Sequence, residues 1–289
     1  MIVIGCSKSK SLAKKVAEKL NSEYYNLEVK KFPDGELYIK FNCDIKNKEV
    51  ILVQTLHEPN ESLLEIILAG YTAKDLGAKS VTLVAPYLAY MRQDKRFNPG
   101  EAISSKIVGK LFKVFDKLIT IDPHLHRHKN LNEVFSIKTE KLTANSLIED
   151  YISKNYKNPV IIGPDEESYQ WAQHIAKNIK ASAAILKKER FSSKKVKVKV
   201  TSDINIKDKD IVIIDDIIST GQTILKTVNL IKKQNPKSIT IIAVHGIFAD
   251  LKVYKKLKKY KLISTNTIEN KHSVIDVSKL IANSFDKKV

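Results

Sequence analysis

Sulfur is scarce in this chain. Its 289 residues include only two cysteines, Cys6 and Cys43. That is too few for a disulfide framework, neither has a metal-like partner nearby, and both read as small core residues. Long apolar runs are also missing, so no bilayer span is expected, and Met1-Ile2-Val3-Ile4-Gly5-Cys6 gives way to Lys8 and Lys10 without a signal-peptide apolar region. These absences point to a cytoplasmic protein with no membrane partner. Acidic charge is in deficit as well: 50 Lys+Arg stand against 32 Asp+Glu, for a net charge of +18. A basic balance fits nucleic acid, anionic substrates or a general richness in lysine. The lysines are spread along the chain and no winged-helix or similar reading module is visible, so no nucleic-acid partner is expected.

What is present is 43% hydrophobic and 28% charged, enough for two soluble domains with a core each. Apolar runs alternate between strand and helix spacing. Strands are expected at Ile2–Ile4, Glu28–Phe32, Leu37–Phe41, Val50–Val53, Ser80–Ala85 and Leu118–Ile121, with helices at Ser11–Leu20, Glu61–Leu76 and Ile103–Phe115. The alternation resumes after about residue 143, through a helix at Ala144–Lys154, a strand at Val160–Ile162, a helix at Tyr169–Asn178 and a strand at Ala184–Leu186. This order predicts an α/β fold of two tandem domains, residues 1–142 and 143–289, each a mostly parallel sheet with helices on both faces. An internal repeat supports the division: Val50-Ile51-Leu52-Val53-Gln54-Thr55 and Val81-Thr82-Leu83 can be laid against Ile211-Val212-Ile213-Ile214-Asp215-Asp216 and Ile239-Thr240-Ile241.

The richest stretch is Asp210 to Thr223. A run of β-branched residues is expected to stop at Asp215 and Asp216; Ser219-Thr220-Gly221-Gln222-Thr223 then opens into an apolar helix. Strand, hydroxyl-rich loop and helix N-terminus outline a phosphate cradle, and two carboxylates beside it suit a ligand that also carries hydroxyls, such as a sugar phosphate. A buried strand followed by a helix capped at Ser219 or Thr220 accounts for the same residues structurally. Elsewhere, Phe32-Pro33-Asp34-Gly35-Glu36 is a turn whose aromatic and acids could stack and hydrogen-bond an adenine. Arg92, Gln93, Lys95 and Arg96 follow a buried strand and suit a triphosphate, or a solvated basic loop. Asp122-Pro123-His124 suits magnesium through water, or a histidine near phosphate, better than zinc. Gly163-Pro164-Asp165-Glu166-Glu167-Ser168 reads as an acidic helix start. Lys187-Lys188-Glu189-Arg190 leads into an alternating Lys/Val segment, read either as a hairpin arm over a polyphosphate or as a lysine-guarded edge strand.

Taken in this order, these motifs resemble the ribose-phosphate diphosphokinase (PRPP synthase) family over essentially the whole chain, in an archaeal-like form, and the acidic-pair loop resembles that of type I phosphoribosyltransferases. The resemblance implies two phosphoribosyltransferase-like domains and transfer of the β,γ-diphosphoryl group of MgATP to the anomeric hydroxyl of ribose 5-phosphate, giving 5-phosphoribosyl 1-diphosphate (PRPP) and AMP for nucleotide biosynthesis. It implies ATP contacts from Phe32, Asp34, Glu36, Arg92 and Gln93, with the first three reaching from a neighbouring subunit of a homodimer or larger homo-oligomer. It further implies Mg2+ on His124 and Asp165, catalytic cations at Lys188 and Arg190, and a ribose 5-phosphate site at Asp215, Asp216, Ser219, Thr220, Gly221 and Thr223. One departure stands out: Glu167 and Ser168 lie in a region where the family commonly has two glycines. A phosphoribosyltransferase that consumes PRPP would share the loop but would not require the adenine-type turn.

Overall fold

The computed structural model describes the backbone of residues 1–125, 127–192, 195–200 and 205–286, and their side chains except at 167, 186–192, 195–200 and 286. The chain divides into two compact units. The first comprises Met1–Thr143 and Thr267–Glu269 together with the chain from Val277 on; the second comprises Ala144–Asn266 and Asn270–Asp276.

In the first unit the elements are β1 (Ile2–Gly5), α1 (Lys10–Leu20), β2 (Glu23–Asn26), β3 (Glu28–Lys31), β4 (Leu37–Lys40), β5 (Glu49–Val53), α2 (Pro59–Asp75), β6 (Ser80–Ala85), α3 (Ser104–Leu111), β7 (Lys117–Ile121) and β8 (Lys138–Leu142). Six strands form one sheet in the order β2-β1-β5-β6-β7-β8, every pair parallel, and β3 and β4 form a separate antiparallel hairpin. Helix α3 is shorter than expected because a 3-10 turn takes over at Phe112–Val114. There Phe112 packs edge-on to Phe115 with centroids 5.5 Å apart and lies 5.4 Å from Phe135, all three buried.

The second unit contains α4 (Asn145–Asn155), β9 (Val160–Gly163), α5 (Glu166–Asn178), β10 (Ser182–Ser192), β11 (Lys195–Val200), β12 (Asp210–Ile218), α6 (Gln222–Lys232), β13 (Ser238–Gly246), α7 (Leu251–Leu257), β14 (Lys261–Thr265) and β15 (Ser273–Ile275). Its sheet runs β11-β10-β9-β12-β13-β14-β15, parallel throughout except where β11 folds back on β10. Apart from that added strand, the order repeats that of the first unit.

The repeat extends to register. Ile2 pairs with Val50 and Val50 with Val81; correspondingly, Val160 pairs with Ile211 and Ile211 with Ile239. Even the turns match, since the Lys79 N–H donates to the Lys48 carbonyl and the Lys237 N–H to the Lys209 carbonyl, both at 2.9 Å. Burial explains the central strands. Ile211, Val212, Ile213 and Ile214 are all fully buried, each contributing about 1.5–3 kcal/mol of apolar transfer, as a strand covered on both faces requires.

Three features differ from the sequence reading. β12 does not stop at the acidic pair but continues to Ile218, because β13 still offers partners: Ile217 pairs with His245 and Ile218 with Gly246. β2 and β8 were not anticipated, their sequences Glu-Tyr-Tyr-Asn and Lys-Thr-Glu-Lys-Leu being too polar to read as strands. The final helix α8 (Ser278–Asp286) packs on α1 in the first unit, a contact that a simple halving at residue 142 does not contain.

Candidate functional site

Two adjacent parallel strands of the second unit, β9 and β12, deliver the acids. After β9 the chain enters α5 at Asp165, whose side chain caps the helix: its Oδ1 accepts from the Ser168 N–H at 2.9 Å and from the Ser168 hydroxyl at 2.6 Å. The acidic helix start expected at this point is therefore real, and it leads directly to β12. The same Ser168 hydroxyl lies 3.1 Å from Asp215 Oδ1. Gly163 makes the arrangement possible, because a Cβ there would lie 2.4 Å from the Tyr169 nitrogen and 2.5 Å from the Ser168 carbonyl carbon. Burial pushes the Asp215 carboxyl well above the usual aspartate range, and the nearby charges of Asp216 and Asp165 add to the shift. Asp216 is less buried, and its Oδ1 accepts from the Ile217 N–H at 2.7 Å.

Beyond Ile218 the loop turns into α6. Gly221 occupies the N-cap at φ +78, a left-handed conformation that favours glycine, and a Cβ there would also come within 2.9 Å of the end of the Leu257 side chain. Neither Ser219 nor Thr220 is the N-cap; the Thr220 hydroxyl accepts a long 3.5 Å bond from the Gln222 N–H. Thr220 and Thr223 are exposed at this helix start. The positive end of α6, loop hydroxyls and two carboxylates thus lie along one short stretch at the carboxyl end of the sheet.

Lys188 and Arg190 are on the extension of β10, where they pair in backbone register with Val198 and Val196 of β11. The hairpin arm is present, but the side chains of both residues lie outside the described part of the structure, as does His126.

In the first unit, Phe32 and Glu36 close the β3–β4 hairpin: the Phe32 N–H donates to the Glu36 carbonyl at 2.8 Å, and the Glu36 N–H donates to Asp34 Oδ1 at 3.2 Å. Phe32 is 49% exposed, its ring edge-on to Tyr38. After β6, Arg92 is exposed and Gln93 half-buried. The loop that carries them is braced by Glu101, which accepts from the Phe97 N–H at 2.7 Å and the Asn98 amide at 2.6 Å; those bonds hold its carboxyl below the usual range. Phe97 stands exposed with Lys95 5.4 Å and Arg127 5.3 Å from its ring centre, while Arg127 also pairs with the buried Asp94 at 2.8 Å. The Arg127–Asp94 pair joins residues 33 apart, so no local pattern in the sequence pointed to it. His124 is half-buried in the loop after β7.

The first unit's counterpart of the acidic pair is occupied by the protein's own groups. Gln54 Oε1 accepts from the Lys8 N–H at 2.9 Å and Gln54 Nε2 donates to the Ser7 hydroxyl at 3.1 Å. The buried Glu65 takes both the Ser7 N–H, at 2.8 Å, and the Ser7 hydroxyl, at 2.5 Å. Ser9, at the N-cap of α1, does not cap that helix with its side chain; its hydroxyl accepts from the Thr55 N–H at 2.7 Å.

Residues 1–115 match the model of the N-terminal domain of ribose phosphate pyrophosphokinase, and residues 130–281 match that of the phosphoribosyl transferase domain. A ribose-phosphate pyrophosphokinase from Methanobrevibacter smithii is 37% identical, with 98% of this chain and 99% of that protein aligned. The chain belongs to the ribose-phosphate pyrophosphokinase family. Another member, from Saccharolobus solfataricus, is 36% identical over 99% of this chain and 100% of its own length. The crystal structure of a phosphoribosylpyrophosphate synthetase from Mycobacterium smegmatis matches with a TM-score of 0.85 at 25% identity, covering 99% of this chain and 97% of that one. The family's two phosphoribosyltransferase-type domains account for the repeated strand order of the two units.

Proposed function

We propose that the chain is a ribose-phosphate pyrophosphokinase that makes PRPP and AMP from ATP and ribose 5-phosphate. The observation that carries this reading is the end-to-end likeness to family members, 98% of this chain and 99% of the first relative, together with an intact acidic-pair loop. In this reaction the anomeric oxygen of the sugar attacks the β-phosphorus, the bond from that phosphorus to the oxygen it shares with the α-phosphorus breaks, AMP leaves, and the anomeric hydroxyl gives up its proton. Little covalent help is needed; alignment and charge neutralisation do most of the work.

The residues divide accordingly. Backbone N–H groups and hydroxyls of Ser219, Thr220, Gly221 and Thr223 take the 5-phosphate, while Asp215 and Asp216 accept from ribose hydroxyls. Phe32, Asp34, Glu36, Arg92 and Gln93 hold ATP, and Lys188 and Arg190 on the arm neutralise charge developing on the transferred group. Asp165 in the second unit and His124 in the first are the candidates for holding magnesium, which would join ATP oxygens and offset their charge. Among the described residues no group of three or more His, Cys, Asp or Glu is placed to hold an ion. A homo-oligomer, with Phe32 serving a neighbouring subunit, belongs to the same proposal.

Phosphorus NMR of the purified protein with magnesium, ATP and ribose 5-phosphate tests the reading. Appearance of AMP and PRPP together, dependent on the sugar, is the expected result. If PRPP binds but no AMP forms under any metal or temperature, the chain is a consumer or sensor of PRPP and the proposal fails. Lys188→Ala and Arg190→Ala are expected to cut turnover by about 10²-fold or more while ATP binding weakens but persists; unchanged turnover in both would remove the arm from the mechanism.

A further inference from the structure

Ser168 is nine-tenths buried at the start of α5, and its hydroxyl faces two carboxylates from different elements. Asp165 Oδ1 is 2.6 Å away and Asp215 Oδ1 3.1 Å away. Helix capping alone does not explain this contact. The cap is already made by the Ser168 backbone N–H to Asp165 at 2.9 Å, which any residue except proline would supply. The hydroxyl adds a link from the loop after β9 to the end of β12, and it meets Asp215 on the oxygen that also accepts the Asp216 N–H at 3.1 Å. Asp215 Oδ1 is therefore held from two directions, which fixes the plane of the carboxylate and leaves the orientation of Oδ2 set by the protein.

We propose that Ser168 is a positioning residue for the sugar phosphate: its hydroxyl sets the rotamer of Asp215 so that the carboxylate meets ribose hydroxyls without reorganising on binding. The role rests on the ribose 5-phosphate site assigned above. It has a physical reason: the single Ser168 hydroxyl proton lies between acceptor oxygens of Asp165, at 2.6 Å, and Asp215, at 3.1 Å, so both carboxylates are drawn to one point instead of turning apart. Gly163 is part of the same device. Without a Cβ it lets the first turn of α5 settle on β9, bringing the hydroxyl within reach of β12. A residue without a side-chain hydroxyl at this position could not make the link.

The test uses Ser168→Ala in the full chain, which keeps the backbone cap and the apolar fit, and calorimetry of ribose 5-phosphate without ATP or metal. The dissociation constant is expected to rise about tenfold, the usual effect of losing a charged hydrogen bond, with KM for ATP moving less than about twofold and circular dichroism unchanged. The effect must run through Asp215. In an Asp215→Asn background, Ser168→Ala is therefore expected to add little, and Ser168→Thr is expected to recover much of the affinity in the native background. An unchanged dissociation constant in Ser168→Ala, or the same penalty with and without Asp215, overturns the positioning role while leaving the enzyme assignment intact. If the unaltered protein bound no ribose 5-phosphate and made no PRPP, the site assignment would fail and the proposal with it.

Discussion

Gln54 in the first unit occupies the register position that Asp215 takes in the second. Each lies four residues beyond an equivalent strand pair, Ile2 with Val50 and Val160 with Ile211. The same backbone frame therefore carries two chemistries. Around Asp215 the neighbours are acids and the carboxyl is raised by burial and by negative charge. Around Gln54 an amide donates and accepts to groups already in place, so that site is closed by its own hydrogen bonds. The two sheets repeat one strand order, and the end of one central strand gathers acids while the other is closed into the core.

Gln54→Glu tests this contrast. Gln54 is fully buried and shares Ser7 with Glu65, which is 3% exposed. A second carboxylate there loses the donated bond and faces a like charge in a place that excludes water. Stability is expected to fall by about 2–4 kcal/mol in urea unfolding, without any new affinity for ribose 5-phosphate. A variant as stable as the original would mean that the cluster tolerates charge and is not closed.

Asp215 gives a pH dependence of unusual sign. Its folded pKa lies above the unfolded value, which is near 4. The folded state therefore holds the proton more tightly than the unfolded chain. The stability tied to Asp215 is fully present below about pH 4 and is lost as pH rises through the raised folded pKa. Asp215→Asn has no proton to lose. In chelator and without substrate it is expected to be more stable than the original at neutral pH, with the gap closing toward pH 4, while ribose 5-phosphate binding falls. A gap that is constant with pH would show that the carboxyl is not the cause.

How much of this was readable in advance depends on where the signal lies. The run Ile211 to Ile214, the Gly221 turn and the matching strand at Val50 are written in local pattern, and all three hold. The Asp165–Ser168–Asp215 link was invisible because it joins residues 47 apart that only the β9–β12 pairing brings together. Strands β2 and β8 escaped because their side chains are mostly polar and partly exposed; backbone pairing, not apolar alternation, defines them. Nor does any local feature of Ser278–Asp286 say that this helix packs on α1.

Glu101 should matter to ATP without touching the fold. Its carboxylate gathers the Phe97 N–H and the Asn98 amide, its own carbonyl accepts from Arg96 Nε at 2.9 Å, and the Ser105 N–H donates back to the Gln93 carbonyl at 3.4 Å. Glu101→Ala releases the loop carrying Arg92 and Gln93. KM for ATP is expected to rise several-fold with KM for ribose 5-phosphate and thermal unfolding little changed, the pattern of lost preorganisation. Equal effects on both substrates would assign Glu101 a broader role.

Phe32 offers a test of assembly. It sits at a hairpin tip, 49% exposed, with only Tyr38 against its ring among the aromatic contacts of the described residues. Removing it costs the folded chain little, so Phe32→Ala is expected to fold normally but to require several-fold more ATP. If the aromatic serves a neighbouring subunit, a second variant can lend it back. Lys188→Ala keeps Phe32 but lacks the cation proposed for the arm. In mixed oligomers, reassembled together from both variants, sites that retain Lys188 would receive Phe32 from the other chain. Activity at low ATP is then expected to exceed the sum of the two variants assayed apart. Strict additivity in oligomers verified to be mixed would place Phe32 in its own subunit's site, or outside any site, and would withdraw the shared-site assembly.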